Sequence, residues 1–318
     1  MTGNPDGGEP GRASVVPMGA RSDLGLCCLV VSFLTLGTLW PLLRAGVQTM
    51  PPLWFACTRL SLAAAVMFVF LTVLRRLRLP ARQDVPVLIS VGVFMMGLYV
   101  VMAHIALQYV GAGRATLLGF TTPLWVTPAA MLFLRERLNA RKLVGLVMGV
   151  GGLAMLFNPR GFDWSDSDVV MGNGLMLLCA MSWAVAIIQM RTQVYRLEPY
   201  QLVPWQLTIA AGCALIGALI IEPSARIELT QRNVFLIIAA GPVIGPITLW
   251  AGTMTMRHLP AVTASVGFLG VPVVASLIAW IFLGEALTWA LVAGGTLILS
   301  GLALVSLGEA RAPRRSAA

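Results

Sequence analysis

The sequence predicts an all-α polytopic membrane protein in which ten transmembrane helices form two inverted five-helix repeats. Three observations lead to this fold class. Hydrophobic residues make up 58% of the 318 residues and charged residues only 11%, against roughly 25% charged in soluble domains. The chain also divides into ten apolar runs of helix length, and residues 110–157 recur as residues 259–306.

The two copies of the repeated stretch align without a gap when the first is shifted by 149 positions (259 − 110). The alignment pairs Pro123 with Pro272 and Glu136 with Glu285. Further identical pairs are Ala112/Ala261, Ala115/Ala264, Gly145/Gly294 and Gly152/Gly301. Each copy reads as two membrane-spanning helices joined by a short Leu-x-Glu-x-Leu turn.

The apolar runs are spanning helices because every backbone N–H and C=O inside a bilayer must be satisfied within its own segment. We number the predicted spans 1 to 10: 24–44, 52–74, 86–108, 111–134, 140–158, 170–190, 200–221, 233–255, 260–283 and 287–307. The five cysteines all fall in these runs without metal-ligand spacing, and they are interpreted as small core residues.

The domain organisation follows from the same runs. Residues 23–158 and 170–308 form two five-helix repeats, separated by an acidic external linker at 159–169. Residues 1–22 and 309–318 are polar cytoplasmic tails, the first expected to be disordered rather than a cleaved signal peptide. The connections are short, so no soluble domain is expected.

Orientation follows from the basic residues. Of the 22 Arg and Lys residues, Arg44, Arg59 and Arg114 lie in or at the edge of spans. With the N-terminus inside, Arg160 and two further arginines, Arg226 and Arg232, fall outside, and the remaining sixteen (22 − 3 − 3) fall on the cytoplasmic side. This positive-inside bias predicts cytoplasmic termini. An odd number of spans per half then inverts the second repeat.

Two polar residues in the spans are candidates for substrate binding. Arg59 in span 2 could hold a substrate carboxylate through a bidentate fork, or it could be a snorkelling arginine at the interface. His104 in span 3 could carry a coupling proton, or it could be a neutral side chain that is hydrogen-bonded to a neighbouring helix.

Aromatic residues in the spans could line a cavity for an amphipathic substrate. The alternative for each is ordinary packing or an interfacial belt. These candidates are Trp40, Tyr99, Trp183, Trp250 and Phe268.

Prolines and glycines mark where spans 4 and 9 are irregular. Pro123, Pro128 and Pro272 each remove a helix hydrogen bond, and such kinks are common where a cavity or a gate lies, although proline is also ordinary in membrane helices. Together with Gly270 they are candidates for kinks or gates. Thr121 and Thr122 precede the first kink and are further cavity candidates.

No Asp or Glu falls in the middle of a span, so the membrane carboxylate of many proton-driven pumps is absent. A membrane enzyme is disfavoured because the chain has two histidines and no catalytic or metal-binding motif. We therefore expect no catalytic residues, metal or cofactor. The net charge of +9 lies in short connections, which indicates the inner membrane surface as its partner rather than nucleic acid.

These residues resemble the drug/metabolite transporter superfamily, specifically the bacterial ten-span proteins with two EamA-type domains. The resemblance rests on the Ala-rich starts of spans 4 and 9, their central prolines, the two Leu-x-Glu-x-Leu turns and the glycines of spans 5 and 10. It covers residues 24–307 and implies an alternating-access carrier with a cavity between the halves. Small multidrug relatives use a glutamate in their first helix, which span 1 lacks, so a multidrug cation antiporter is disfavoured.

The expected function is secondary transport of a small metabolite, an amino acid or a related amphipathic compound, outward across the inner membrane. The alternatives are a channel or facilitator and, less favoured, a membrane-embedded enzyme. The expected partners are a small-molecule substrate and the lipid bilayer. Monomer and homodimer both remain open, because glycine spacings such as Gly145-x-x-x-Gly149 can serve packing within one chain or between two.

Overall fold

The computed structural model describes residues 18–134, 140–157, 165–190, 193, 196–259, 264 and 267–310. All regular secondary structure in these ranges is helical. Six predicted spans are single helices. In chain order they are Met18–Val47 (span 1), Pro52–Val73 (span 2), Ala140–Phe157 (span 5), Ser167–Met190 (span 6), Pro199–Ile221 (span 7) and Trp289–Ala310 (span 10).

The other predicted spans contain changes of helix type or breaks. Span 3 follows a 3₁₀ turn at Arg82–Asp84 and runs as Val85–Ile89, a π-helical stretch Ser90–Leu98, and Tyr99–Ala106. Span 4 is divided into Ala112–Gly119 and Thr122–Leu134. Span 8 runs as Gln231–Ile238, a π-helical stretch Ala239–Val243, and Ile244–His258, and the long described helix of span 9 is Gly270–Leu283.

Seven helices of the described chain are long and apolar enough to cross a membrane, and they correspond to predicted spans 1 to 4 and 6 to 8. Three shorter apolar helices, Leu143–Met155, Gly270–Leu283 and Trp289–Leu304, fall at predicted spans 5, 9 and 10. The regular structure of the described ranges is therefore entirely helical, and it contains the helices of a multi-pass membrane protein.

Several boundaries differ from the sequence prediction. Helix begins at Met18, inside the predicted tail 1–22, and at Ser167, inside the predicted linker 159–169. The reason is that an apolar run marks the part of a helix within hydrocarbon, whereas helical hydrogen bonding can continue past it. Residues 158–164 of the linker region and the tail segments 1–17 and 311–318 lie outside the described residues.

The two π-helical stretches begin at Ser90 and Ala239, which are 149 residues apart, the same shift that aligns the repeated stretch. Pro242 lies in the second stretch and lacks the N–H that an α-helix would use. In the first stretch, span 6 supplies a compensating bond: Ser182 Oγ donates to the Phe94 carbonyl at 2.6 Å. The neighbouring helix thus stabilises the irregular backbone of span 3.

Each half packs its first span against the other half. Span 1 contacts spans 8 and 9, while span 6 contacts spans 3 and 4. Span 2 packs along span 7, and span 5 along span 10. The packing pattern is therefore reciprocal between the two copies of the sequence repeat.

Spans 5 and 10 cross at glycines, with their chains antiparallel. A Cβ at Gly152 would lie 2.6 Å from the Gly294 carbonyl oxygen, and one at Gly301 would lie 2.6 Å from that of Gly145. The two contacts are equivalent in the repeat, because Gly145 aligns with Gly294 and Gly152 aligns with Gly301. The Gly145 spacing thus serves packing within the chain.

Spans 2 and 7 are also antiparallel. The backbone N–H groups of Leu53 and Trp54, at the start of span 2, donate to the Glu222 carboxylate at the end of span 7, at 3.1 to 3.2 Å. At the opposite end, Gln201 Nε2 donates to the Arg76 carbonyl at 3.1 Å. Both ends of this helix pair are therefore held by hydrogen bonds between the halves.

Candidate functional site

The break in span 4 lies at Phe120 and Thr121, immediately before Pro123. Proline has no N–H to bond the Gly119 carbonyl four residues earlier, and the Thr122 hydroxyl donates to that carbonyl instead, at 2.9 Å. The Thr121 hydroxyl donates to the Leu118 carbonyl at 2.6 Å. Both hydroxyls, predicted as cavity groups, thus satisfy the carbonyls of their own broken helix.

A second break lies at the equivalent position of span 9. Its helix starts at Gly270 after a turn residue, Leu269, which is 149 residues after Phe120. Pro272 follows as Pro123 does in the first copy. Both spans are thus interrupted just before their central prolines, whereas residues 260–263 and 265–266 of predicted span 9 lie outside the described residues.

Three predicted aromatic residues meet beside the break in span 4. Tyr99 makes edge-to-face contacts with Trp40, at a centroid distance of 6.5 Å, and with Trp183, at 5.0 Å. A Cβ at Gly119 would lie 2.9 Å from the Tyr99 hydroxyl and 3.6 Å from the Trp40 ring. Spans 1, 3 and 6 therefore bring one aromatic cluster, Trp40–Tyr99–Trp183, against the last helical residue before the break.

The Tyr99 hydroxyl makes no hydrogen bond within the described ranges and is not among the enclosed polar atoms that lack a partner. It is therefore not fully enclosed. Trp125 Nε1, in contrast, is fully enclosed and has no partner in the same ranges. Sequence reasoning did not select Trp125, and only its position two residues after Pro123 could have drawn attention to it.

The two polar candidates form a pair. Arg59 Nε donates to His104 Nε2 at 3.0 Å, and both side chains are buried, at 7% and 0% exposure. Phe55, one turn before Arg59, packs on the His104 ring at a centroid distance of 5.7 Å. An arginine that snorkels at the interface would extend into the headgroup region, so the burial of Arg59 argues against that alternative.

Trp250 and Phe268 do not join the aromatic cluster. Trp250 is 56% exposed. Phe268 packs near Gly252, whose Cβ would lie 4.0 Å from the Phe268 ring. Pro128, the second predicted kink of span 4, lies within the continuous helix Thr122–Leu134. Among the described residues, none of the three makes a ring contact or a side-chain hydrogen bond with the Arg59–His104 pair or the aromatic cluster.

Glu285, in the second Leu-x-Glu-x-Leu turn, caps the start of span 4. Its carboxylate accepts from the backbone N–H groups of Ala112 at 2.7 Å and Gly113 at 3.3 Å. Arg44 Nε lies 4.0 Å from the same carboxylate, and Arg44 Nη1 donates to the Leu107 carbonyl. Glu285 is thus a structural residue.

The first Leu-x-Glu-x-Leu turn, which contains Glu136, lies outside the described residues. Among the residues that the structure describes, no three His, Cys, Asp or Glu side chains gather as a metal site would require. The candidate site therefore offers groups suited to binding a ligand: a guanidinium, an imidazole and an aromatic cluster beside a broken helix.

Comparison with known families identifies the family of this helical protein. A profile described as the EamA-like transporter family matches the chain twice, at residues 23–158 and 170–307. The chain belongs to the EamA-like transporter family. The two matches cover both predicted repeats, so the predicted family is confirmed, and this EamA-like transporter is a multi-pass protein of the inner membrane.

Curated relatives of this EamA-like transporter carry transporter names. The uncharacterized transporter YoaV of Bacillus subtilis is 26% identical over 84% of this chain and 91% of its own length. A probable amino-acid metabolite efflux pump of Salmonella typhimurium is 27% identical over 89% of this chain and 94% of its own length. A probable terminal-alkyne amino-acid exporter of Streptantibioticus cattleyicolor is 22% identical, with 87% and 92% covered.

One solved crystal structure, of a protein 21% identical in sequence, superimposes with a TM-score of 0.60 over 91% of this chain and 97% of that one. At this identity the likeness extends to the fold alone. Nearly the whole of both chains therefore shares one helical architecture.

Proposed function

We propose that this EamA-like transporter is an alternating-access secondary carrier that exports a small amphipathic metabolite, an amino acid or a related compound. Its ten spans would form two inverted halves. The observation that carries the proposal is the pair of helix breaks at equivalent positions, Phe120 and Leu269, the first of them bordered by Trp40, Tyr99 and Trp183. Broken helices near the middle of inverted repeats are the usual place of a carrier's binding site.

The antiparallel pairs support the inversion. Spans 5 and 10 are equivalent helices in the repeat, and spans 2 and 7 are each the second span of their half. Equivalent helices that run in opposite directions, with reciprocal contacts such as Gly152–Gly294 and Gly301–Gly145, are the arrangement that a two-fold axis in the membrane plane produces.

The site composition supports an amphipathic substrate. An aromatic cluster offers apolar and quadrupolar faces, and Arg59 offers a cation. The names of the amino-acid metabolite efflux pump and the terminal-alkyne amino-acid exporter agree with this class of substrate and with outward transport.

Transport in proteoliposomes tests the proposal. Purified protein is assayed against amino acids, nucleosides and cationic dyes, and we expect saturable uptake and counterflow for an amphipathic amino acid or a close relative. Flux without saturation or counterflow would favour a channel or facilitator, and the absence of any flux from folded, correctly inserted protein would overturn the proposal.

A tryptophan pair provides the matched control. Replacing Trp183 by Ala should raise the apparent KM about tenfold, because an aromatic contact contributes about 1.4 kcal/mol. Trp289 is 79% exposed at the start of span 10, and Trp289→Ala should leave the KM unchanged. Equal effects of the two substitutions on the KM would show that the aromatic cluster is not part of the substrate site.

A further inference from the structure

Arg59 is a buried cation in the interior of span 2. Only 7% of the residue is exposed, and it lies seven residues after the helix start at Pro52, or about 10 Å along the axis. Span 8 lies directly against its backbone, since a Cβ at Gly241 would come 2.5 Å from the Arg59 carbonyl oxygen. The base of the side chain is therefore fixed between two helices.

His104 is locked in one neutral tautomer. Its Nδ1 is 2.8 Å from the Val100 carbonyl oxygen, and a carbonyl can only accept, so Nδ1 carries the proton. Nε2 then has a free lone pair, which accepts from Arg59 Nε at 3.0 Å. This chain of bonds, Arg59 to His104 to the Val100 carbonyl, fixes the plane of the guanidinium group.

The two terminal amino groups of Arg59 remain available. Within the described ranges they donate no hydrogen bond, and no carboxylate lies within ion-pair distance of them. The ion pair in those ranges joins Arg44 to Glu285 instead. The two amino groups are also not among the fully enclosed polar atoms without a partner, so a small part of their surface remains accessible. A buried, unpaired cation is costly in a membrane protein and usually meets a ligand, water or a partner.

We propose that Arg59 binds the carboxylate of the transported molecule end-on through its two terminal amino groups, and that His104 is the positioning residue that holds the guanidinium for this contact. The pair therefore selects carboxylate-bearing substrates over their neutral analogues. This inference rests on the proposed carrier function and adds the substrate's charged group. A guanidinium whose Nε is occupied still presents a planar two-donor edge that matches a carboxylate.

Binding to the purified protein in detergent tests the substrate class without requiring transport. Thermal shift is measured with two pairs of probes that differ in the carboxylate: 3-phenylpropionate against 3-phenylpropanamide, and L-leucine against L-leucinamide. We expect at least one carboxylate to stabilise the protein and its amide to bind at least about tenfold more weakly. If no carboxylate gives a shift, or if each amide matches its acid, the proposal is wrong.

Arg59 variants test the residue. Arg59→Gln should abolish the preference for the carboxylate over the amide, and Arg59→Lys should retain only part of it, because lysine keeps the charge but lacks the two-donor edge. Arg44→Gln is the control for loss of a positive charge nearby, since Arg44 already contacts Glu285 and Leu107. An unchanged preference in folded Arg59→Gln protein would contradict the assignment.

Two substitutions of His104 separate positioning from packing. Gln can accept from Arg59 and donate to Val100, so His104→Gln should keep carboxylate affinity within about threefold of the wild type. His104→Leu keeps an apolar side chain against Phe55 but loses the acceptor, and it should weaken carboxylate binding about tenfold while leaving amide binding unchanged. Equal affinities in the two variants, each shown to be folded by its unliganded melting temperature, would contradict the positioning role.

The outcomes distinguish this inference from the carrier proposal. Saturable transport without a carboxylate preference leaves the carrier standing and overturns the anion site. A carboxylate preference in binding that Arg59→Gln removes, without counterflow in proteoliposomes, supports the anion site and contradicts the carrier.

Discussion

Glu285 joins three segments of the chain with one carboxylate. It caps the N-terminus of span 4, lies 4.0 Å from Arg44 of span 1, and itself follows span 9. Gly284 makes this possible: its φ of +67° ends span 9 in the left-handed region that glycine adopts without strain. A glutamate at a helix N-terminus is also favoured by the helix dipole.

Neutralising Glu285 should therefore destabilise the folded protein. We expect Glu285→Gln to lower the free energy of unfolding by about 1 kcal/mol, because a charged cap and its pairing with Arg44 are lost while one amide oxygen can still accept. The measurement is denaturant or thermal unfolding in detergent micelles.

The matched control is Glu228→Gln, in the exposed segment before span 8. The Glu228 backbone carbonyl, rather than its carboxylate, makes the hydrogen bond to Asn233 Nδ2, so this change should leave stability unaltered. Equal effects of the two substitutions would show that general charge, and not the cap, accounts for the loss.

Single polar residues were recognisable in the sequence, but their partners were not. Arg59 and His104 stand out because ionisable side chains are rare in spans. They are 45 residues apart, and no local pattern indicates that two such side chains meet. The hydroxyls of Thr121 and Thr122 were predicted to face a cavity, yet each bonds a carbonyl one turn back, as threonine commonly does in helices.

At the scale of helices, small residues decide how closely elements approach. The crossing of spans 5 and 10 places Gly152 and Gly301 against backbone carbonyls at equivalent distances. Close contact through these glycines is therefore the main source of specific packing at the crossing.

Substitution of either glycine should have a similar effect. Gly152→Ala and Gly301→Ala each insert a methyl group 2.6 Å from a carbonyl oxygen, and we expect each to lower the melting temperature by several degrees. Gly151→Ala is the control, since its Cβ would lie an ordinary 3.5 Å from the Leu297 side chain. A strong effect from only one member of the Gly152/Gly301 pair would contradict a symmetric crossing.

Helix irregularity was only partly predictable from sequence. Proline predicted the breaks in spans 4 and 9, because the loss of an N–H is a local property. The π-helical stretch Ser90–Leu98 contains no proline. Its carbonyls are stabilised from span 6, for example by Ser182, and that is a tertiary effect which local sequence does not reveal.

At the scale of the whole molecule, the contacts between halves mirror each other. The Asp84 carboxylate at the start of span 3 accepts from the backbone N–H groups of Arg196 and Leu197 at 2.7 and 3.2 Å. Asn233, 149 residues after Asp84, accepts at 2.8 Å from the Thr49 hydroxyl between spans 1 and 2. The same position of each repeat thus holds the connection between the first two spans of the other half.

Labelling from one side of the membrane tests the predicted orientation. In a background with the five cysteines replaced, Glu228→Cys, in an exposed connection predicted to be external, should react with a membrane-impermeant maleimide in intact cells. Arg78→Cys, in the exposed connection between spans 2 and 3, should react only after permeabilisation, because the positive-inside bias puts it in the cytoplasm. Reaction of both sites in intact cells would contradict this orientation.

The class of the molecule followed from sequence because composition, span length and an internal repeat are all readable in one dimension. The family match at both halves agrees with that prediction. The reciprocal packing of span 1 on spans 8 and 9, and of span 6 on spans 3 and 4, required coordinates, since it depends on which helices become neighbours rather than on their order.

The break in span 4 has its carbonyls bonded by hydroxyls of the same span, and this affects how the helices can move. Thr121 and Thr122 bond carbonyls of the preceding turn, so the bend needs no group from the opposite half to keep its backbone satisfied. We therefore expect the bend to keep its angle when the two halves move. Rearrangement of the bundle would then take place where the two halves touch, and span 4 would move as one bent unit.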